Sequence, residues 1–129
     1  LKPVNDKLGH AVGDRCLSAF ASTLTGAVRA TDFVGRYGGD EFVVAFPHTT
    51  ATAAAAALER ARSAAARRFA ASDLPKMTAT FGVVDLTADH ADAAQLTAAA
   101  DAALYRGKAL GRDRVVCDDA AANAAKTPT

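Results

Sequence analysis

Tryptophan is absent from this sequence, and cysteine and histidine are scarce, with two and three residues among 129. Cys16 and Cys117 show no spacing that predicts a disulfide framework or a metal site, so we expect two buried thiols in a reducing cytosol. His10, His48 and His90 have no second histidine or cysteine at ligand spacing. This scatter argues against a zinc site.

An excess of one charge is also missing, because 15 Lys and Arg residues nearly balance 14 Asp and Glu residues, for a net charge of +1. This balance does not predict binding to duplex DNA or to an anionic membrane, so we expect no nucleic-acid partner. No apolar run approaches the ~20 residues of a membrane-spanning helix, and no signal peptide opens the chain. We therefore expect no membrane segment in this chain and a cytoplasmic location, whether or not a parent protein is membrane-anchored.

Half of the residues are apolar, which at this length predicts one domain with its own core. A first helix is predicted over residues 13–30, with Asp14 as its N-cap. A second is predicted over residues 50–69, and a third over residues 92–110, ended by Gly111 as a C-cap. The apolar residues at helical spacing in the first two helices are Leu17, Phe20, Ala21, Leu24, Val28, Leu58, Ala61, Ala65 and Phe69.

Four short β-rich runs separate these helices. The first two flank the sequence Gly38-Gly39-Asp40-Glu41, which predicts a tight hairpin whose glycines supply positive φ and whose tip carries two carboxylates. Gly82 lies inside the third run and indicates either a β-bulge or a close approach of another backbone. The four runs are residues 33–37, 42–46, 77–86 and 114–117.

The order of these elements is helix, strand, strand, helix, strand, helix, strand. A further strand before Leu1 would complete the β-α-β-β-α-β order of a ferredoxin-like or split βαβ fold. We therefore predict an α+β domain over residues 1–117, with helices packed on an antiparallel-rich sheet whose first central strand is missing from this chain. Residues 118–129 have no periodicity, and we predict a disordered C-terminal tail.

Three segments resemble one known family. Residues 36–42 read RYGGDEF, the signature of the GGDEF domain, which is the catalytic module of bacterial diguanylate cyclases. Residues 5–14 carry the ND, GH and GD pairs of the same family, and residues 100–115 read ADAALYRGKALGRDRV, similar to its closing segment. The resemblance implies a palm-like nucleotidyl cyclase fold, and the condensation of two GTP into cyclic di-GMP and two pyrophosphates. It also implies an antiparallel homodimer with one GTP per subunit, and a sensor domain upstream in the parent chain.

By this resemblance the hairpin tip holds the reactive phosphate. Asp40 is expected to ligate Mg²⁺ or Mn²⁺, and Glu41 either completes the metal site or helps to deprotonate the attacking hydroxyl. Gly38 and Gly39 let the backbone approach the α-phosphate without a Cβ in the way. The alternative for the four residues is an ordinary solvent-facing hairpin turn.

The same resemblance assigns the groups that bind the rest of the substrate. Asn5 and Asp14 are expected to read guanine, whereas the alternative for Asp14 is a plain helix N-cap. Lys2, Lys108 and Arg112 are expected to grip the β- and γ-phosphates. A cation such as Lys108 in the last turn of a helix also complements the helix dipole, which is the alternative for that residue.

A product-binding site is expected at Arg29 and Asp32, which form the RxxD pattern five residues before the glycine pair of many diguanylate cyclases. A guanidinium can grip guanine or phosphate in a bidentate way, and a carboxylate can accept guanine N–H groups. The alternative is a surface arginine at a helix end near a turn aspartate.

The family's first strand carries another magnesium-binding aspartate, and this chain begins after it. We therefore expect the parent to be an active cyclase and this truncated chain to be impaired. The alternative function is a regulatory module that binds GTP or cyclic di-GMP without turnover, but such modules usually lose the hairpin residues that are present here. An RNA-binding domain of similar topology is disfavoured by the near-zero net charge and the absence of a suitable aromatic pattern.

Overall fold

The computed structural model describes residues 2–86 and 92–117. The order of elements predicted from residue 13 onward is confirmed, and an unpredicted short helix precedes them. The predicted tail over 118–129 lies outside the described residues. The elements are α1 (Lys2–Leu8), α2 (His10–Ala27), β1 (Phe33–Arg36), β2 (Phe42–Ala45), α3 (Ala51–Ala71), β3 (Thr80–Val83), α4 (Ala93–Ala109) and β4 (Arg114–Cys117).

Gly9 separates α1 from α2. It has a φ of 89°, a region open to glycine and unfavourable for other residues, so the chain changes direction here. Helix α2 therefore begins at His10, and no side chain caps it. The prediction that Asp14 is the N-cap is wrong, because Asp14 lies inside α2, where its side chain is exposed.

The chain forms two compact units, and the first contains α1, α2, β1, β2 and the part of α3 from Arg60 onward. Its core joins Cys16 and Ala19 of α2 to Ala65 and Phe69 of α3. The predicted apolar stripe of the second helix is confirmed. The predicted stripe of the first helix is confirmed in part, because Leu24 is buried and its other members are half-buried. The remaining buried residues of α2 are Gly13, Cys16 and Ala19.

The two cysteines have different environments. Cys16 is buried as expected, and this burial raises the pKa of its thiol above the usual value, against the smaller opposite effect of Arg15. A neutral, buried thiol behaves as a small apolar core residue. Cys117 ends β4 and is exposed, so the expectation of two buried thiols is wrong for this residue.

Strands β1 and β2 form the predicted antiparallel hairpin, with Arg36 opposite Phe42 as the last pair before the turn. Phe42 packs against Phe20 of α2 with a ring-centroid distance of 5.3 Å, which anchors the hairpin to the helix. The prediction of positive φ in the turn is wrong for both glycines, since Gly9 and Gly111 are the glycines with positive φ in the described chain. The turn spans residues 37–41, and this length allows closure without left-handed residues.

The second unit contains Thr50–Glu59 and the chain from Ala79 onward. Strands β3 and β4 pair in parallel, from Thr80 opposite Arg114 to Val83 opposite Cys117. A parallel pair requires a crossover connection, and α4 lies in that connection and packs on both strands. Strand β3 is shorter than the predicted run because only these four positions pair with β4.

Gly82 of β3 lies directly beneath α4. A Cβ at this position would overlap the carbonyl oxygen of Ala100 and the backbone nitrogen of Leu104. Of the two predicted alternatives, the structure therefore shows the close backbone approach. Gly107 of α4 is buried, and a Cβ there would lie 2.8 Å from Thr80 Cγ2 and 3.2 Å from Val116 Cγ2.

Helix α4 has defined caps at both ends. The side chain of Asp92 accepts a hydrogen bond from the Gln95 backbone nitrogen at 2.9 Å. Leu110 is the C-cap, and Gly111 follows it with a φ of 119°. The Arg112 nitrogen donates to the Gly107 carbonyl at 2.9 Å and the Gly111 nitrogen donates to the Lys108 carbonyl at 3.3 Å, a Schellman motif. The predicted helix end is therefore correct to one residue.

Replacing Gly111 with Ala is expected to lower the free energy of unfolding by about 1–3 kcal/mol, because a Cβ is strained at this φ. Urea denaturation followed by circular dichroism measures the change. The control is Gly26→Ala inside α2, where a Cβ meets no atom within 4 Å. We expect this control to gain about 0.5–1 kcal/mol. Equal losses of stability in both variants would contradict the left-handed conformation of Gly111.

None of the helices within residues 2–86 and 92–117 combines the length and the apolar character needed to cross a bilayer.

Candidate active site

The hairpin turn presents Asp40 and Glu41 to solvent, and both residues are exposed. Arg36 fixes the backbone of this turn. Its Nε donates to the Gly38 carbonyl at 3.1 Å, and its Nη2 donates to the Gly39 carbonyl. This role of Arg36 could not be predicted from the sequence, because nothing in the motif indicates that its side chain folds back over the turn. The guanidinium also adds positive charge to a turn that carries two carboxylates.

The other side of the turn is closed by Glu41. Its carbonyl accepts hydrogen bonds from the nitrogens of Tyr37 at 2.8 Å and Gly38 at 3.3 Å. Its side chain folds over Gly38, where a Cβ would lie 3.7 Å from Glu41 Oε2, whereas a Cβ on Gly39 would meet nothing within 4 Å. The backbone at Gly39 is thus open to a ligand beside the two carboxylates.

This donor set suits a hard divalent cation such as Mg²⁺. Such an ion is commonly bound by one or two carboxylates, with the remaining positions taken by water and substrate phosphate oxygens. Asp40 and Glu41 provide two exposed carboxylates, and no cluster of three or more His, Cys, Asp or Glu side chains that could hold a metal exists among the residues described. The residues of the turn therefore fit a metal ion that is shared with a phosphorylated substrate.

Asn5 and Asp14 lie on the neighbouring helices α1 and α2. The side-chain oxygen of Asn5 occupies the space that a Cβ on Gly13 would fill. The amide of Asn5 therefore contacts α2 directly at Gly13, one residue before Asp14 in the chain. Gly13 belongs to the GD pair of the family motif, but nothing in the sequence indicated that its missing Cβ makes room for the Asn5 side chain.

Asp14 faces an open groove of about 400 Å³ on the first unit. One wall is fixed by Arg68, whose Nη1 donates to the Ala19 carbonyl at 3.1 Å. Arg15 and Asp73 form an ion pair at 3.3 Å, but both side chains are well exposed, so this pair contributes little stability. The residues that line the groove are Asp14, Arg15, Ser18, Ala19, Arg68 and Leu74.

Two of the three predicted phosphate-binding cations, Lys108 and Arg112, lie together at the end of α4 in the second unit, and both are exposed. Arg112 and Asp113 have φ values of 61° and 52°, which are uncommon for residues other than glycine. Hydrogen bonds hold this backbone, since Arg114 Nε donates to the Arg112 carbonyl at 2.9 Å. The third cation, Lys2, is the first residue of α1.

Arg29 and Asp32 form a turn that is closed on itself. The Arg29 nitrogen donates to Asp32 Oδ2 at 2.8 Å, and the Asp32 nitrogen donates to the Arg29 carbonyl at 3.0 Å. Arg29 Nη2 lies 3.5 Å from Asp32 Oδ1, with side-chain exposures of 63% and 2%. The arginine is therefore the accessible member of the pair, and the aspartate is buried beneath it.

A protein-family model described as "Diguanylate cyclase, GGDEF domain" matches residues 1–114. Among curated proteins, the diguanylate cyclase DgcP of Pseudomonas aeruginosa is 39% identical over 117 residues, which cover 88% of this chain and 17% of DgcP. Diguanylate cyclase A of Treponema denticola is 38% identical over 116 residues, covering 88% of this chain and 31% of its own length. The chain thus spans less than a third of either relative.

Solved structures show the same fold. The GGDEF domain of DgcB from Caulobacter crescentus, crystallised in complex with c-di-GMP, superimposes with a TM-score of 0.83 at 32% identity, covering 92% of this chain and 71% of that one. The active GGEEF domain of a diguanylate cyclase from Vibrio cholerae gives a TM-score of 0.77 at 30% identity, covering 91% and 75%. These similarities agree with the predicted palm-like α+β fold.

Proposed function

The chain belongs to the GGDEF domain family of diguanylate cyclases, and we propose that its domain condenses two GTP molecules into cyclic di-GMP and two pyrophosphates. The observation that carries this proposal is the hairpin turn, in which Asp40 and Glu41 are exposed beside an open glycine backbone. Phosphoryl transfer depends on positioning and on charge stabilisation more than on covalent catalysis, and this turn offers both.

Asp40 and Glu41 are the residues that would hold Mg²⁺ or Mn²⁺ in this proposal. The bound metal neutralises charge on the phosphates during transfer. Arg36 keeps the turn in one conformation through its two backbone hydrogen bonds, so the carboxylates start from a fixed position. Glu41 serves either as a second metal ligand or as the group that takes the proton of the attacking hydroxyl.

We assign the guanine to Asn5 and Asp14, whose amide and carboxylate complement the donors and acceptors on the edge of the base. Lys2, Lys108 and Arg112 are assigned to the β- and γ-phosphates. The closeness of the Asn5 amide to the residue before Asp14 supports the first assignment. The exposure of Lys108 and Arg112 at one helix end supports the second.

Gly13 provides a test of the guanine assignment. Replacing it with Ala is expected to push the Asn5 amide away and to weaken GTP binding roughly tenfold, the usual cost of a lost hydrogen bond in a site. Affinities for GTP and ATP are measured by isothermal titration calorimetry, and the preference for GTP should fall. Gly26→Ala in the same helix is the control. An unchanged preference for GTP in the Gly13 variant would contradict the assignment.

The reaction also needs a partner subunit and a further carboxylate in this proposal. Each subunit holds one GTP, and two subunits meet antiparallel so that each 3′-hydroxyl faces the α-phosphate on the other. The strand expected before Leu1 carries the other magnesium-binding aspartate, so the 129-residue chain is expected to be impaired. We propose residues 1–117 as the part of this domain that the chain holds, with a sensor domain upstream in the parent chain and a cytoplasmic location for the domain itself.

Product inhibition is proposed at Arg29 and Asp32. The guanidinium is exposed and held by the carboxylate, so it is available to a guanine or phosphate group. The solved DgcB domain, which is similar to this chain, was crystallised in complex with c-di-GMP.

Incubation with GTP and Mg²⁺, followed by mass spectrometry, tests the proposed reaction on two proteins: this chain and a longer chain that restores the upstream strand. We expect cyclic di-GMP from the longer chain and little from the shorter one. Equal activity of both would contradict the need for the upstream strand. GTP binding without product from either chain would contradict the cyclase proposal and favour the non-catalytic regulatory module.

A further inference from the structure

Thr49 follows β2 and contacts the side chain of Arg29. Arg29 Nη2 donates a hydrogen bond to Thr49 Oγ1 at 2.5 Å. The same hydroxyl donates to the Pro47 carbonyl at 2.9 Å. A hydroxyl has one proton to donate, so its donation to Pro47 leaves its lone pairs for the guanidinium. Thr49 is half-buried, and the Pro47 contact fixes the direction in which it accepts.

Asp32 also contacts the side chain of Arg29. Its side chain is 2% exposed, and its Oδ1 lies 3.5 Å from Arg29 Nη2. Within the described part of the chain, Oδ1 is buried and has no hydrogen-bond partner, whereas Oδ2 accepts from the Arg29 backbone nitrogen. The charge of this buried carboxylate therefore acts on the guanidinium beside it.

The two contacts use one nitrogen of the Arg29 guanidinium. Each edge of a guanidinium that carries two parallel donors includes Nη2, paired with either Nε or Nη1. Thr49 accepts one of the two Nη2 protons, and the Asp32 contact is an ion pair without a hydrogen bond to Oδ1. The second Nη2 proton therefore leaves one edge open to a ligand, and the side chain is 63% exposed. Arginine recognises guanine and phosphate through two parallel hydrogen bonds in a fixed plane. A guanidinium already held in one plane loses less conformational entropy on binding than a free one.

Resting on the product site proposed above, we propose that Thr49 is a positioning residue of that site. It holds the guanidinium of Arg29 in the plane in which its free edge receives a guanine or phosphate group of cyclic di-GMP. Asp32 supports Arg29 through their ion pair.

Titration of cyclic di-GMP into the purified chain by isothermal titration calorimetry tests this role. We expect Thr49→Val, which keeps the shape and removes the hydroxyl, to weaken binding roughly three- to tenfold. Thr49→Ser restores the hydroxyl and should bind within about twofold of the original chain. Arg29→Ala should lose measurable binding. The matched control is Thr52→Val, the same change at an exposed position in the first turn of α3.

A second measurement separates positioning from stability. In ¹⁵N NMR spectra of the unliganded original chain, the Arg29 guanidinium should rotate slowly about its Nε–Cζ bond. In Thr49→Val this rotation should be faster, while the melting temperature of the variant should equal that of the original chain. Weak binding in both Val and Ser variants together with lowered melting temperatures would overturn the inference in favour of a structural role.

The remaining outcomes separate the inference from the proposals on which it rests. Binding unchanged in Thr49→Val but lost in Arg29→Ala would overturn the role of Thr49 and leave the product site in place. Absence of binding to the original chain would overturn the product site and the role of Thr49 together. Neither result bears on turnover of GTP, which the mass-spectrometric assay decides separately.

Discussion

Replacing Asp40 with Ala is expected to lower the rate of cyclic di-GMP formation at least about a hundredfold, because it removes a carboxylate proposed to hold the metal ion at the phosphates. The measurement uses the longer chain with its upstream strand restored, with GTP and saturating Mg²⁺, and product quantified by mass spectrometry. The hairpin itself should survive, because Arg36 and the Glu41 carbonyl hold the turn through backbone groups that the substitution leaves in place.

Asp73→Ala is the matched control for this prediction. It removes the same charge from an exposed position, where Asp73 pairs with Arg15 at 3.3 Å. Exposed ion pairs contribute about 0–1 kcal/mol, so its rate should stay within roughly twofold of the original. A rate in Asp40→Ala above about a tenth of the original would contradict the proposed metal role of this carboxylate.

Replacing Gly82 with Val is expected to lower the free energy of unfolding by about 3 kcal/mol, the upper part of the range for overpacked cores. The added atoms would overlap backbone atoms of Ala100 and Leu104 in α4. Backbone atoms inside a hydrogen-bonded helix cannot rotate away as the end of a flexible side chain can. Denaturation in urea, followed by circular dichroism, measures the loss.

The matched control is Gly35→Val, the same substitution in strand β1, where a Cβ meets no atom within 4 Å and the residue is exposed. Valine suits a strand better than glycine, so this variant should be as stable as the original chain or slightly more stable. If Gly82→Val and Gly35→Val were equally stable, the close packing of α4 on β3 would be wrong.

Most of the fold could be predicted from the sequence, because the elements carry local signals. Apolar residues at helical spacing mark α3, glycine with flanking cations marks the end of α4, and alternating β-rich runs mark the hairpin. Helix α1 was missed because it spans only Lys2–Leu8, too short for a repeated apolar stripe. The start of α2 was misplaced because Asp14 has the residue type of an N-cap, whereas the actual break depends on the backbone of Gly9.

The candidate site was predicted less completely, because residue types reveal chemistry but not tertiary neighbours. The carboxylates of the hairpin followed from the motif, but the conformation of Gly38 did not, because it depends on a turn closed by the Glu41 carbonyl. The contact between Asn5 and Gly13 requires two helices to fold together. The contact between Arg29 and Thr49 joins residues 20 positions apart and leaves no sequence signal.

The most direct test of the central claim is the rate of cyclic di-GMP formation by the longer chain, measured over a tenfold range of protein concentration. Two subunits that each contribute one GTP predict cyclic di-GMP as the product and, below the dissociation constant of the dimer, a rate that rises with the square of the protein concentration. A rate strictly proportional to protein concentration throughout that range would contradict assembly of the site from two subunits, and recovery of unchanged GTP at every concentration would contradict the cyclase itself.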